Sequence, residues 1–570
     1  MKKEDSAPRI TVISLFILLV ALIFIGRLYY VQIVLGSDFT SKADRQYVQS
    51  NYDYYDRGSI FFQTKDGDLV SAATLKTGFI VAINPKLIGD PQTLFDKLSS
   101  TISIDKTVFF TKASKKQDPY EEITRRVEPE KATAIQKLKL PGVEVYKERW
   151  RFYPGNSMAA HGLGFVAYKD NDLGGRYGLE RYYEDTLKRN NDSVYVNFFA
   201  EIFSNIKKGI SSGQSLEGDV VTSIEPTVEA FLEQELKKVI ENWSSDFAGG
   251  IIMNPMNGEI IAMAINPSFD PNNLQDQKNS RVFSNELVEG SYEMGSIIKP
   301  LTMAAGIDAG VVTENTRYND TGSLTLNNRT ISNYDGRARG WITMQDVLNQ
   351  SLNVGAAFVE QKLGNQNFAK YMLSFGLGQE TGIDLPNETH GQVENLKSPR
   401  DIEYVTASFG QGIALTPIET IRALAILGNG GVLVNPHIGV RINYKIGGSK
   451  KIDGGVTKQV LKKETGEEIT RMLVHVVDTS LLNGKVKIDN YSVAAKTGTA
   501  QISKGGGKGY YEDRYLHTFF GYFPAYNPKF IIFLFNYYPK GAKYASETLT
   551  YPFIDITKFL LNYYQIPPDR

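Results

Sequence analysis

Three short clusters, Ser296-Ile297-Ile298-Lys299, Ser351-Leu352-Asn353 and Lys496-Thr497-Gly498-Thr499, follow one another along the chain, and the segments around them limit the fold sharply. The first opens the apolar run KPLTMAAGIDAG, which reads as a buried helix. The second falls where one helical stretch stops and VGAAFVEQKLG begins another, and the third lies in the strand-like YSVAAKTGTAQ. Upstream, Gly249-GIIMNP and Gly258-EIIAMAINP read as a β-hairpin, entered by a helix over residues 226–243; downstream, HTFFGYFPAYNPKFIIFLFNYY returns to strand. The order β, then α from Gly295 to about Gly430, then β predicts an α/β (α+β) domain: one central antiparallel sheet built from both ends of the region, with a helical subdomain inserted. Thr343-Met344-Gln345-Asp346 and Thr416-Pro417-Ile418-Glu419 are predicted capping boxes inside that subdomain.

A serine hydroxyl is a poor nucleophile until a base takes its proton. If Gly295-Ser296 opens a helix, Ser296 and Lys299 stand one turn apart on one face, in mutual reach. Ile297 and Ile298 would keep the pair dry, and desolvation favours the free amine over the ammonium. Single motifs carry little weight, because Ser204-Asn205-Ile206-Lys207 repeats the first pattern and Lys76-Thr77-Gly78 the third. Both lack context: Ser204 precedes a polar stretch, and Lys76 lies upstream of every candidate nucleophile. Gly209-Ile210-Ser211-Ser212-Gly213 has the spacing of a nucleophile elbow without the strand before it or the helix after it.

The chain has 570 residues, with 63 basic and 63 acidic side chains and no cysteine. Zero formal charge speaks against nucleic acid as a partner, and the lack of thiols removes disulfides and thiolate chemistry. The five histidines, His161, His390, His437, His475 and His517, have neither metal nor triad spacing, so no metal or cofactor is expected. Lys504-Gly505-Gly506-Gly507-Lys508-Gly509 lacks the Ser or Thr of a phosphate-binding loop.

Compartment is read from the N-terminus. Ile10 to Gly26 carries only Thr11 and Ser14 as polar side chains and would cover roughly 25 Å as a helix, extended by Tyr29 and Tyr30 at the interface. No small-residue cleavage site follows, so an uncleaved single-pass anchor is expected. Lys2, Lys3 and Arg9 favour a cytoplasmic N-terminus, which places the rest outside the cell membrane. The expected organisation is a cytoplasmic tip and anchor (1–36), a mixed α/β non-catalytic pedestal (37–215) ending in the Gly- and Ser-rich KKGISSGQSLEGD, and a catalytic domain (216–570, core about 248–560). Within the pedestal, Arg57-Gly58-Ser59-Ile60 and Gly178-Leu179-Glu180 read as turn and packing residues.

With the anchor, the three clusters, Arg57-Gly58, Arg151-FYPGNSMAAHGLGFV, GRYGLERYYED, MNPMNGEIIAMAINPSFDPN and SFGQGIALTP all in place, the chain resembles a class B penicillin-binding protein over nearly its whole length. TGIDLPNE and the C-terminal TFFGYFPAYNPKF are most similar to the division-specific FtsI type. Met294, Ile297, Ile298 and Glu225 depart from the family's usual residues without touching a catalytic atom. The resemblance implies a membrane-anchored D,D-transpeptidase that cross-links peptidoglycan and does not polymerise it. Ser296 would attack a D-Ala-D-Ala carbonyl and Lys299 act as base. Ser351 would relay a proton, Asn353 orient Lys299 and the substrate amide, and Lys496, helped by Thr497, bind the terminal carboxylate. The amides of Ser296 and Thr499 would form an oxyanion hole, and Gly498 would leave room for the substrate backbone. β-Lactams are the implied inhibitors, and a SEDS-family glycan polymerase of the FtsW type, with other division proteins, the implied partner. An elongation-type transpeptidase, a D,D-carboxypeptidase and a catalytically weak division scaffold are the alternatives; a β-lactamase or β-lactam sensor would share the serine chemistry without needing the pedestal.

Overall fold

The structure, a computed structural model, describes residues 55–169, 172–189, 217–277, 279–445, 448–455, 457–505 and 509–570, with Val20 as an isolated helical residue. No helix among them is long and apolar enough to cross a membrane. The expected anchor, apart from Val20, lies outside the described residues, as do the second S-x-x-K at 204–207, the elbow-like 209–213 and the centre of the 504–509 glycine run. The described chain forms two compact units, one of residues 55–56 and 76–150, the other of 57–75, 151–189 and what is described from 217 onward.

The larger unit carries all three clusters. Its entry helix, α1 (Pro226–Trp243), starts where Glu225 accepts from the Val228 amide and Pro226 occupies the first turn, where a missing N–H costs nothing. Ser244, with φ 46°, ends it in the left-handed conformation. The stripe Val228, Leu232, Leu236 and Val239 is buried. The predicted hairpin follows as β1 (Phe247–Met253) and β2 (Ile260–Asn266). The helical subdomain contributes α2 (Lys299–Asp308), α3 (Met344–Asn349) and α4 (Asn353–Leu363). β3 (Ala494–Ser503), β4 (Tyr510–Phe523), β5 (Phe530–Tyr537) and the C-terminal helix α5 (Thr550–Tyr563) complete it. The five strands are antiparallel in the order β3-β4-β5-β1-β2, so both ends of the region meet in one sheet and β3 is an edge.

The run FIIFLFNY of β5 is apolar without alternation because both faces of the sheet are covered. Ile531, Phe533 and Phe535 pack toward the helical subdomain with Ile297, Ile298 and Leu301. Phe530, Ile532 and Leu534 pack on the other side, with Leu232 of α1 and Phe553 and Leu560 of α5. Burial of each such side chain is worth roughly 1.5–3 kcal/mol, and the two layers hold β3 and α2 at a set spacing.

The inserted region is not wholly helical, as its sequence suggested. Ser323–Leu326 pairs with Arg329–Ser332 around Asn327 and Asn328, whose φ values of 48° and 60° suit a two-residue hairpin turn, and Arg317–Asp320 pairs with Gly340–Thr343. The two predicted capping boxes are both formed.

Arg57 and Glu180, read from sequence as turn and packing residues, form a buried charge cluster with Arg151. Glu180 is fully buried and accepts from Arg57 Nε at 2.6 Å, Arg151 Nε at 2.5 Å and the Tyr153 hydroxyl at 3.1 Å. Burial pushes its carboxyl up, but the two guanidiniums outweigh this and hold it below the ordinary value. The cluster ties the Arg57 segment to residues 151–184, far apart in sequence.

In the smaller unit, Phe79 to Ile83 of the strand Leu69–Ile83 pairs with Glu121–Val127 beside the helices Pro91–Ser99, Lys106–Ala113 and Pro129–Lys137. Val81, Ile83, Leu98, Phe109 and Ile135 form its core. Lys76, of the second K-T-G, pairs with Glu128 at the surface, 2.9 Å away.

Candidate active site

Ser296 lies in a 3₁₀ turn, Gly295–Ile298, that runs directly into α2. The turn sits against the edge strand because Gly295 (φ 65°) has no side chain there: a Cβ would stand 2.8 Å from the Thr499 carbonyl oxygen. Thr518 Oγ1 donates to the Met294 carbonyl at 2.9 Å, and the Gly295 amide donates to Gly410 O at 3.1 Å. Ser296 is half-buried, whereas Ile297 and Ile298 are fully covered and Lys299 is 1 % exposed. The expected dry setting of the lysine is therefore present.

Ser351 occupies the junction of α3 and α4 with φ 55°, a strained conformation for a residue with a Cβ. The strain turns its hydroxyl between two lysines: Ser351 Oγ is 3.3 Å from Lys299 Nζ and 3.0 Å from Lys496 Nζ. Lys299 also donates to Ser351 O at 2.5 Å and to Asn353 Oδ1 at 2.8 Å. The Asn353 amide is set by its own donation to Ser332 O, 2.8 Å away on the small hairpin. Lys496, 3 % exposed, donates to Thr497 O at 3.0 Å. Among the described residues no carboxylate pairs with either lysine, and none bonds to Ser296 Oγ. Burial, and then the charge of Lys496, hold Lys299 well below the ordinary lysine value; burial pulls Lys496 down to about 7.

On β3, Thr497 and Thr499 point to the α5 side of the sheet, and Thr499 Oγ1 accepts from the Ala545 amide at 3.0 Å. Gly498 points the other way. A Cβ there would collide with Thr518 Oγ1 and stand 2.7 Å from Met294 O. The space this glycine leaves is filled by the protein itself, so packing against Thr518 and Met294 already requires a glycine here.

A cleft of about 610 Å³ joins Ser296, Ser351, Asn353, Lys496, Thr497 and Thr499. A larger open groove, about 720 Å³ beside Asp308 and Tyr526, contains none of the cluster residues and offers no comparable chemistry. The cleft wall also includes Gln411, within the SFGQGIALTP segment, and Tyr334, Lys543 and Tyr544, which no motif marked. Tyr334 and Tyr544 meet edge-on at its rim, ring centroids 6.0 Å apart. Among the described residues no group of acidic or histidine side chains could hold a metal ion. A half-buried nucleophile opening on the cleft, a buried amine held by oxygens of Ser351 and Asn353, and a second lysine joined through a shared hydroxyl make up a site suited to acyl transfer on serine.

Residues 248–555 match the penicillin-binding protein transpeptidase domain and residues 55–220 the penicillin-binding protein dimerisation domain. The stage V sporulation protein D of Bacillus subtilis is 30 % identical over 96 % of this chain and 84 % of its own length. The peptidoglycan D,D-transpeptidase FtsI of Escherichia coli K12 is 29 % identical over 78 % of this chain and 73 % of its own. Among solved structures, penicillin-binding protein 3 from Mycobacterium tuberculosis, complexed with aztreonam, superposes with a TM-score of 0.69 at 21 % identity, covering 91 % of this chain and 98 % of that one. Penicillin-binding protein 2X from Streptococcus thermophilus gives 0.72 at 18 %, covering 90 % and 81 %. With the transpeptidase domain matched over more than half its residues and the dimerisation domain ahead of it, the chain belongs to the class B penicillin-binding proteins.

Proposed function

We propose that this protein is a serine peptidoglycan D,D-transpeptidase that joins stem peptides through an acyl-enzyme on Ser296. The carrying observation is that Ser296 opens onto a cleft in which Lys299, Ser351, Asn353 and Lys496 form one hydrogen-bonded chain. A neutral amine has two N–H groups, and those of Lys299 are taken up by Ser351 O and Asn353 Oδ1. Its lone pair is left for a hydroxyl proton, and the hydroxyl within hydrogen-bond distance is that of Ser351, at 3.3 Å.

Ser296 Oγ attacks the carbonyl of the penultimate D-alanine while Lys299 takes its proton. The negative oxygen formed is met by the main-chain N–H groups of Ser296 and Thr499; one such donor is worth about 3–4 kcal/mol. The proton passes through Ser351 Oγ to the nitrogen of the terminal D-alanine as the C–N bond breaks. General acid–base help of this kind is worth about 10² to 10⁴ in rate. An amine of a second stem peptide then attacks the ester, the C–O bond breaks and Ser296 regains its proton. Lys496 and Thr497 hold the donor's terminal carboxylate, whose charge favours the protonated form of Lys496. β-Lactams enter by the same route and stop at the acyl-enzyme.

Mass spectrometry after labelling with a fluorescent penicillin tests this. The expected adduct is on Ser296, persistent and lost in Ser296→Ala; an adduct elsewhere, or hydrolysis within seconds, overturns the reading. A carboxypeptidase would pass the acyl group to water, so a donor peptide offered with an acceptor amine should give mainly the cross-linked product.

The run Ile10–Gly26 supports attachment to the cell membrane with the catalytic domain outside, and relatives named FtsI support a septal role. The partner that the FtsI-type resemblance implies there is a SEDS-family polymerase of the FtsW type. Replacing residues 1–35 with an unrelated anchor should reduce both polymerase co-purification and septal localisation. The relative named for sporulation favours a second setting for the same chemistry. Depletion during growth separates the two: a block in septation supports the division role, and a defect confined to spores supports the other.

A further inference from the structure

The cleft wall at Lys543–Ser546 belongs to none of the three clusters, yet its main chain is held at four points. Ala545 N–H donates to Thr499 Oγ1, and His517 Nε2 lies 3.2 Å from the Lys543 carbonyl. The amides of Lys543 and Tyr544 donate to Glu547 Oε2 at 3.1 and 2.8 Å. His517 is fully buried, stands opposite Thr499 in the β3–β4 register and has Nδ1 2.8 Å from Thr548 Oγ1. An ordinary surface lysine rides on a free loop. Lys543 rides on one tied to the nucleophile's neighbouring strand.

Its exposed side chain lines the cleft, and its ammonium lies 5.4 Å from the Tyr544 ring centroid. Among the described residues no carboxylate is within ion-pair distance of it, and the cleft is lined by no aspartate or glutamate. Lys496 and Ser351 mark one end of the site. Thr499, three residues further along an extended strand and therefore about 10 Å away, marks the other, where the Lys543 loop is tied. On the transpeptidase reading, on which this inference rests, the leaving group's carboxylate sits at Lys496. The acyl portion must then continue past Ser296 toward Thr499, Gln501 and Lys543.

We propose that Lys543 is a specificity-determining residue that pairs with a free carboxylate on the acyl side of the donor, with His517 and Thr499 as positioning residues for its loop. The ligand class is a donor carrying a second carboxylate besides the terminal one.

Benzylpenicillin and its α-carboxylated derivative carbenicillin differ in that one group, so the ratio of their second-order acylation rate constants reads the contact. In Lys543→Ala the carbenicillin-to-benzylpenicillin ratio should fall about three- to fivefold, the range expected of a solvent-facing ion pair. Lys543→Arg should retain it, and raising the salt should lower the ratio in the natural protein but not in Lys543→Ala. An unchanged ratio in Lys543→Ala, an equal loss for both penicillins, or a ratio indifferent to salt would overturn the proposal. Failure of benzylpenicillin to label Ser296 in the natural protein would instead strike the transpeptidase reading itself.

Discussion

Lys496 Nζ stands 3.0 Å from Ser351 Oγ, so the edge strand and the helical subdomain are joined by one hydroxyl. Ser351 can serve there only because its backbone adopts φ 55°. Ser351→Ala and Ser351→Gly both remove the hydroxyl and should cut penicillin acylation by about 10² or more. They differ only in backbone tolerance. Denaturant unfolding should therefore find the glycine variant more stable than the alanine variant by about 1 kcal/mol; equal stabilities would mean the junction relaxes.

Burial of Lys496 makes stability depend on pH. Its folded pKa, about 7, lies below the ordinary 10.5, so between these values the unfolded chain binds more protons and stability rises with pH. Below about 7 both states are charged and the cost of burying the ammonium is fully present. Lys496→Met should remove this contribution. Urea unfolding at pH 6.5 and 8.5 should show a rise in the natural protein that exceeds the variant's by on the order of 1 kcal/mol.

Gly498→Ala adds one methyl group into contact with Thr518 and Met294. Overpacking of this sort costs about 1–3 kcal/mol. Because the displaced atoms hold the turn before Ser296, acylation should fall along with the melting temperature. A variant with normal stability and lost labelling would point to a direct clash with ligand instead.

Glu180→Gln leaves Arg57 and Arg151 buried without their shared carboxylate. Loss of one partner of a buried ion cluster costs about 3–5 kcal/mol. The expected result is a large drop in thermal stability with benzylpenicillin still labelling Ser296 below the transition. Loss of labelling in a folded variant would give the cluster a role in the site itself.

Much of this arrangement was legible in the sequence because local signals agreed with the tertiary answer. Thr343-Asp346 and Thr416-Glu419 state where helices begin through contacts three residues apart. FIIFLFNY announces a strand covered on both faces, and the order of the clusters tells which strand and helix must meet. What was illegible depends on pairings distant in sequence. Nothing in the segments around Arg57, Arg151 and Glu180 says that they share one buried cluster, and Glu180 meets Arg57 across 123 positions. The hairpin at Asn327-Asn328 carries a turn signal, but the helical stretches around it mask the signal. Lys543 and His517 acquire meaning only from the register that sets Thr499 opposite His517. Gly498 lies against Thr518 and Met294, neighbours that its place in the sequence does not reveal.

The sheet ends at β3, with no further strand beyond it among the described residues. Most proteins shield such an open seam, since a row of unsatisfied main-chain donors and acceptors will template pairing with any extended chain. An enzyme that must accept a peptide cannot close the seam permanently. Substrate selectivity and resistance to self-association are therefore decided by the same few atoms. A peptide that pairs with β3 while acylating Ser296 would cover part of that edge.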